Sequence, residues 1–211
     1  MPRISHYVKN TSVLGPGKRF VIWFQGCHKR CKGCINPEGQ RFDLGYFISN
    51  EELIDIIRKE ENNISGVTIS GGEPFIQFEE LYNLIEMIKE KTNLDVMVYS
   101  GYLYEEIIEK FPEHRKIFSM IDIFIDGYYV ENLNNNSLYK GSDNQKIYFF
   151  TEKYKNYVDE INNCKNRNIE FEIINDNEIF FIGIPPKNFY ETFLKKIGGF
   201  KYEWKKGIRS K

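Results

Sequence analysis

Four short apolar runs, three of them closed by glycine turns, constrain the fold of this chain more than any other feature. After the turn Gly15-Pro16-Gly17 comes Phe20-Val21-Ile22-Trp23-Phe24, which leads into a Cys/Gly/Lys-rich loop. Gly66-Val67-Thr68-Ile69-Ser70 runs into Gly71-Gly72, and Asp95-Val96-Met97-Val98-Tyr99 into Ser100-Gly101. Met120-Ile121-Asp122-Ile123-Phe124-Ile125 ends at Asp126-Gly127. Runs of this length, stopped by turn formers, are predicted strands.

Helical periodicity fills the gaps between them. Ser49 stands before Glu51-Glu52-Leu53-Ile54-Asp55-Ile56-Ile57 and is the predicted N-cap. A second helix is predicted over residues 77–91, with Leu81, Leu84, Ile85 and Ile88 on one face, and a third includes Leu103, Ile107 and Ile108. Residues 146–150 are a candidate fifth strand. Strand and helix in alternation predict an α/β fold with parallel strands and right-handed crossovers.

Residues 151–211 change character. A charged helix over 152–166 is predicted to lead into a hairpin: Ile169 to Ile174, a turn at Asn175-Asp176-Asn177, and a strand over 178–184. Pro185-Pro186 stops it, and a last helix is expected over 188–197. The expected organisation is a core at 1–150 with the extension 151–211 packed on it. A chain of 211 residues, 41% hydrophobic and 16% aromatic, can bury such a core. No apolar run approaches the roughly 18 residues of a membrane span, and no signal-like apolar stretch follows Met1. A cytoplasmic protein without a membrane is expected. Net charge is −1, which gives no bulk electrostatic reason to expect nucleic acid.

Cys27, Cys31 and Cys34 form a CxxxCxxC motif within eight residues, and Cys164 is remote. That is a poor disulfide framework and a good metal-ligand cluster. Thiolates select iron-sulfur clusters, zinc or copper(I). A structural zinc site needs four ligands, with His28 or His6 as the available fourth. A cubane held by three thiolates leaves one iron open. Cys164, on a polar helix, reads as an inert thiol. The second element is Ser70-Gly71-Gly72-Glu73-Pro74 at a strand's carboxyl end. Glycines there let a ligand approach the backbone, and a carboxylate at the same point can hold an ammonium group.

CxxxCxxC after the first strand, followed by Gly71-Gly72-Glu73-Pro74, resembles the radical S-adenosylmethionine (SAM) superfamily. In that family three cysteines ligate a [4Fe-4S] cluster and SAM chelates the fourth iron. Reductive cleavage of SAM yields a 5'-deoxyadenosyl radical that abstracts a hydrogen atom. Many members carry an aromatic residue before the third cysteine, whereas this chain has Gly33. That departure is similar to the anaerobic ribonucleotide reductase activating proteins, which are glycyl-radical activases. Gly15-Pro16-Gly17, Tyr99-Ser100-Gly101-Tyr102, the stretch from Ile125 through Val130, and the Gly-Ser-x-Asn-Gln pattern at 141–145 resemble that family too. The resemblance covers residues 10–150 and implies a partial, laterally open (β/α) barrel, since the chain is short of the roughly 250 residues of a closed one. The C-terminal hairpin and helix are an addition to it.

The resemblance implies Cys27, Cys31 and Cys34 as cluster ligands. It implies backbone contacts to SAM from Gly33, Cys34 and Ile35. Asn36 either supports this loop or is a plain turn residue. Gly71 and Gly72 are expected against the methionine moiety. Glu73 either accepts from its ammonium group or caps the following helix. Ser100 and Asp126 either touch SAM or serve ordinary strand-end turns. His6 and His114 have no supporting motif. Implied partners are a glycyl-radical enzyme and a flavodoxin- or ferredoxin-type reductant. The basic residues Lys201, Lys205, Lys206, Arg209 and Lys211 are either a solvated end or a dock for an acidic partner. Two other readings stay open: a small radical SAM enzyme that modifies a peptide, and a non-catalytic metal-binding module.

Overall fold

In the computed structural model, residues 1–175 and 178–196 are described. Seven strands form one open sheet in the order β3-β1-β2-β4-β5-β6-β7. Its centre is β2 (Arg19–Phe24), β4 (Gly66–Gly71), β5 (Asp95–Tyr99) and β6 (Ile123–Asp126), paired in parallel. On one side β1 (Arg3–Thr11) runs antiparallel to β2, and the two-residue β3 (Tyr46–Phe47) borders β1. On the other side β7 (Lys146–Phe149) lies antiparallel to β6. The fold is mixed α/β around a largely parallel sheet, and no pairing joins β3 to β7.

The four predicted central strands are present. Residues 3–11 and 46–47 were not anticipated as strands. β7 is a strand as expected, but the connection from β6 holds only a 3-10 turn (Glu131–Leu133) and no α-helix, and β7 returns antiparallel. The fourth run starts later than expected, because Met120 ends a short helix, α4 (His114–Met120).

Side-chain alternation explains the layering. Phe20, Ile22 and Phe24 of β2, Val67 and Ile69 of β4, Val96 and Val98 of β5, and Phe124 of β6 point to one face. There they meet Leu53, Ile54 and Ile57 of α1 (Asn50–Glu60) and Leu81, Leu84, Ile85 and Ile88 of α2 (Phe78–Lys91). Ile107 of α3 (Tyr104–Lys110) and Ile117 of α4 complete that layer. Full burial of each such side chain contributes about 1.5–3 kcal/mol. Ser49 caps α1 as predicted, its hydroxyl accepting from the Glu52 amide at 3.0 Å.

The opposite face carries Val21, Met97, Ile123 and Ile125. It is covered by the C-terminal segment. The antiparallel pair β8 (Ile169–Asn175) and β9 (Glu178–Gly183) sets Ile182, with Ile184 just beyond, against Val8, Leu14 and Val21. Tyr154 packs with Met97, Ile123 and Ile125. The charged helix expected over 152–166 is a 3-10 turn (Glu152–Tyr157) followed by the short α5 (Val158–Asn163). The last helix is α6 (Phe189–Lys196). Asp176 and Asn177 of the expected turn, Ile197, and the basic residues from Lys201 to Lys211 lie outside the described residues. Among those described, no helix is long and apolar enough to cross a membrane.

Arg19 and Asp95 open β2 and β5 and form a buried ion pair at 2.7 Å, with side chains 0% and 2% exposed. Arg19 also donates to the Thr68 hydroxyl (2.6 Å) and to the carbonyls of Val67 (2.9 Å) and Pro16 (3.2 Å). The second Asp95 oxygen accepts from Tyr154 (2.6 Å) and Lys153 (2.9 Å). Burial alone would raise the Asp95 pKa, but the Arg19 charge and these donors bring it below the usual carboxylate range. The Gly15-Pro16-Gly17 turn thus seats a buried cation.

Candidate functional site

The motifs singled out in the sequence meet at the carboxyl ends of the parallel strands, where open α/β sheets carry their ligands. Backbone hydrogen bonds stitch them together. The Gly72 amide donates to the Phe24 carbonyl (2.7 Å) and the Glu73 amide to the Gly26 carbonyl (2.8 Å). On the other side of the cysteine loop, Gly26 donates to Gly39 (2.8 Å) and Cys27 to Gln40 (3.2 Å). Asn36 Oδ1 accepts from the Gly39 amide at 3.0 Å, so this residue supports the loop. Gln25, which sequence reasoning passed over, ties the same turn by donating to the Glu38 and Arg41 carbonyls at 2.7 and 2.6 Å.

The glycine pair has a reason of its own to be glycine. Gly71 has φ +121°, and a Cβ there would collide with the Phe24 backbone. At Gly72 it would collide with the carbonyl oxygens of Gly26 and Gly39. Both glycines permit a close chain-to-chain approach at this turn.

Cys27 is buried, whereas Cys31 and Cys34 are partly open. The Lys29 amide donates to the Cys27 sulfur at 3.4 Å. Burial raises the pKa of the Cys27 and Cys31 thiols, and at Cys27 the Lys29 amide opposes it. The thiols sense one another electrostatically in the pairs Cys27 with Cys31 and Cys31 with Cys34. Among the described residues no three His, Cys, Asp or Glu side chains close on a point that a single ion would fill. The two histidines considered as a fourth ligand are engaged elsewhere. His28 packs on Phe42 (ring centroids 4.7 Å apart), and His6 lies against Phe180 (4.4 Å) and 3.6 Å from Glu172. Cys164 ends α5, and its sulfur faces the Asn166 carbonyl at 3.7 Å. His114, at the start of α4, faces the Phe111 carbonyl at 2.8 Å.

Glu73 is 1% exposed. One carboxylate oxygen accepts from the Phe75 amide (3.1 Å) and the Ser100 hydroxyl (2.9 Å), the other from the Gly101 amide (2.6 Å). Burial raises its pKa to about 7, against the pull of these donors and of Lys29. Glu73 therefore does cap the next turn, one of its two expected roles. Ser100 acts by holding Glu73 and by accepting from the Tyr102 amide at 3.0 Å. Lys29 lies over this group, its ammonium 4.0 Å from the Tyr102 ring centre and 3.4 Å from Glu106.

Asp126 is 0% exposed. It accepts from the Tyr104 amide (2.9 Å), the Lys146 amide (3.0 Å) and the Tyr148 hydroxyl (3.2 Å). These bonds are the strand-end turn chemistry that was one of its two expected roles. Gly33 and Ile35 are exposed. Gly33 has φ +71°, and a Cβ there would stand 2.9 Å from Glu131 Oε1. In this chain Glu131 therefore stands beside the residue before the third cysteine, where a larger side chain would meet it.

Comparison with known proteins agrees with this geometry. Residues 13–148 match a family model described as a 4Fe-4S single cluster domain. An anaerobic ribonucleoside-triphosphate reductase-activating protein of Enterobacteria phage T4 is 32% identical over 149 residues, covering 66% of this chain and 89% of the relative. The protein so named in Escherichia coli K12 is 27% identical over 143 residues, 64% of this chain and 91% of that one. A pyruvate formate-lyase-activating enzyme of Clostridium pasteurianum is 36% identical over 116 residues, 52% of this chain and 49% of its own length.

Proposed function

The chain belongs to the radical SAM family of glycyl-radical activases, and from that premise we propose that it installs a glycyl radical on an anaerobic ribonucleotide reductase. The observation that carries this reading is the stitching of the cysteine loop to the Gly-Gly-Glu turn by the Gly72 and Glu73 amides. Those two bonds make one rim of two motifs that lie far apart in sequence.

Cys27, Cys31 and Cys34 hold the [4Fe-4S] cluster. Their chemistry fits: three soft donors, one of them, Cys27, faced by an amide that favours thiolate. A cubane also takes each thiolate on a different iron, so its ligands do not need the close convergence around one ion that is missing here. Bound together, cluster and SAM supply one-electron cleavage chemistry, and the protein supplies orientation. Gly33, Cys34 and Ile35 offer backbone groups on the open side of the rim. Glu73 offers a carboxylate for an ammonium group, and Ser100 and Gly101 hold it in place. Gly71 and Gly72 bring the two motifs close enough to share a ligand. The sheet, open at both edges, is taken as the partial barrel, and its open side suits a protein loop as substrate. A flavodoxin- or ferredoxin-type protein donates the electron. The free thiols suit the reducing cytoplasm.

The test is electron paramagnetic resonance of the anaerobically reconstituted chain with its co-encoded reductase, SAM and a reductant. A glycyl doublet is expected. SAM cleavage without that doublet would move the assignment to a peptide-modifying enzyme. A colourless protein holding one zinc would leave only a metal-binding module.

A further inference from the structure

Arg167, two residues ahead of β8, is a buried cation of a different kind from Arg19. It is 7% exposed. Its Nε donates to the Ser137 carbonyl (3.0 Å), its Nη1 to the Pro185 carbonyl (3.0 Å), and its Nη2 to the carbonyls of Lys140 and of Gly141, the latter at 3.3 Å. A guanidinium has five N–H donors, so these four bonds leave one N–H of Nη1 over. Among the described residues no carboxylate pairs with it. Asp143 is engaged by the Ser137 hydroxyl (2.5 Å) and by Lys165 (3.5 Å), and Glu170 by the Ser12 amide (3.0 Å). Arg19 has Asp95, whereas Arg167 has only carbonyl dipoles to offset its loss of water.

Arg167 also borders a cavity of about 110 Å³. The other polar residues on its wall are Ser12, Tyr139 and Asn168, and the rest of the lining is apolar. Two hydroxyls and a carboxamide can each donate a hydrogen bond. Among the described residues no carboxylate stands on this wall. The wall is drawn from the turn after β1, from residues 138–139, and from both ends of the β8–β9 hairpin, Arg167 and Asn168 before it and Ile184 after it. The volume is well below the roughly 300–1,000 Å³ of sites for drug-sized ligands, which leaves room for an ion of a few heavy atoms and not for a nucleotide.

We propose that this cavity binds a small oxyanion, of the size and chemistry of inorganic phosphate or a short carboxylate, with Arg167 as its counter-charge. The planar guanidinium suits oxyanions in shape as well as in sign. Ser12, Tyr139 and Asn168 add donors from the other segments, so the bound ion joins both ends of the hairpin to the core. The site stands apart from the reading of the cysteines and does not need it.

The experiment uses the full chain in thermal melts and titration calorimetry, with sodium phosphate and separately with sodium acetate, each against sodium chloride at equal ionic strength. Wild type is compared with Ser12→Asp and Arg167→Gln. Ser12 is exposed, so Ser12→Asp sets a carboxylate on the cavity wall at little cost to the fold and competes with the ion. Phosphate also stabilises folded proteins in general by exclusion from their surface, and the two variants subtract that effect. At a hundredfold excess over its dissociation constant, an oxyanion should raise the wild-type melting temperature by about 5 °C beyond chloride, with saturable binding at a single site. Both variants should lose that rise and the calorimetric signal. Should Arg167→Gln fail to fold, Ser12→Asp decides by itself. A response to phosphate alone, or to acetate alone, would support the site and say which oxyanion it prefers. No response to either, or an equal response in Ser12→Asp, would overturn the proposal.

Discussion

The two ends of the parallel strands both bury polar side chains, but only one of them leaves a loop open beside them. At the amino end Arg19, Thr68 and Asp95 are sealed, and the cation and carboxylate are matched by each other and by Tyr154, Lys153 and strand carbonyls. At the carboxyl end Glu73, Ser100 and Asp126 are sealed as well, but the cysteine loop beside them is left in reach of solvent: Cys31, Cys34, Gly33 and Ile35 stand on the rim. One end ties strands together. The other uses its buried carboxylates to brace an exposed cysteine loop. Both depend on glycines that allow close approach, Gly15 beside Arg19 and Gly72 beside the cysteine loop.

Substitutions can separate the two ends. Cys31→Ala should carry the largest effect, with iron-sulfur absorption and 5'-deoxyadenosine formation both falling to background while the urea midpoint hardly moves. Surviving cleavage would break the ligand assignment. Asp95→Asn should do the reverse. It leaves Arg19 buried beside a neutral partner, at a cost of about 3–5 kcal/mol, while the reconstituted cluster of the remaining folded protein keeps its spectrum. Gly72→Ala should report on both, because its Cβ collides with the Gly26 and Gly39 carbonyls. A stability loss of about 1–3 kcal/mol with reduced iron content is expected. Full iron content in that variant would show that the two motifs need not touch.

The smallest effect is pH dependence, and its sign differs between the ends. The Glu73 carboxyl titrates near 7 in the folded chain, above its ordinary 4.5, so its protonated form stabilises the fold below 4.5 and that contribution fades as pH rises to about 7. Asp95 is held below its ordinary 3.8, so its contribution is present above that value and lost on further acidification. Urea midpoints of the wild type and of Glu73→Gln and Asp95→Asn across pH 3 to 8 would separate these slopes. A flat difference for Glu73→Gln between 4.5 and 7 would contradict the burial argument.

The central strands and the meeting of the two motifs were legible because short apolar runs and their glycine stops are local signals. β1 was not. Its sequence, Arg3-Ile4-Ser5-His6-Tyr7-Val8-Lys9-Asn10-Thr11, mixes polar and apolar residues, since it lies near an edge of the sheet and takes its order from pairing with β2. The reversal of β7 was hidden because the 127–145 connection, with a 3-10 turn at Glu131–Leu133, holds itself by side-chain hydrogen bonds instead of an α-helix. The site residues were legible as types but not in their work. Asp126 and Ser100 spend their bonding inside the protein, and nothing in a linear pattern separates a carboxylate facing a ligand from one facing a backbone amide. Gln145 and Ser142 were visible only as part of a family-like string.

The hairpin has a consequence for synthesis. Helices from within the matched region cover one face of the sheet, but Val21 and its neighbours on the other face wait for Ile182 and Ile184. On a ribosome adding about 5–20 residues per second, that apolar face stays bare for a time on the order of seconds after β7 has been made. During that interval the nascent chain is a client for a chaperone, and a stop codon placed after β7 would make that exposure permanent.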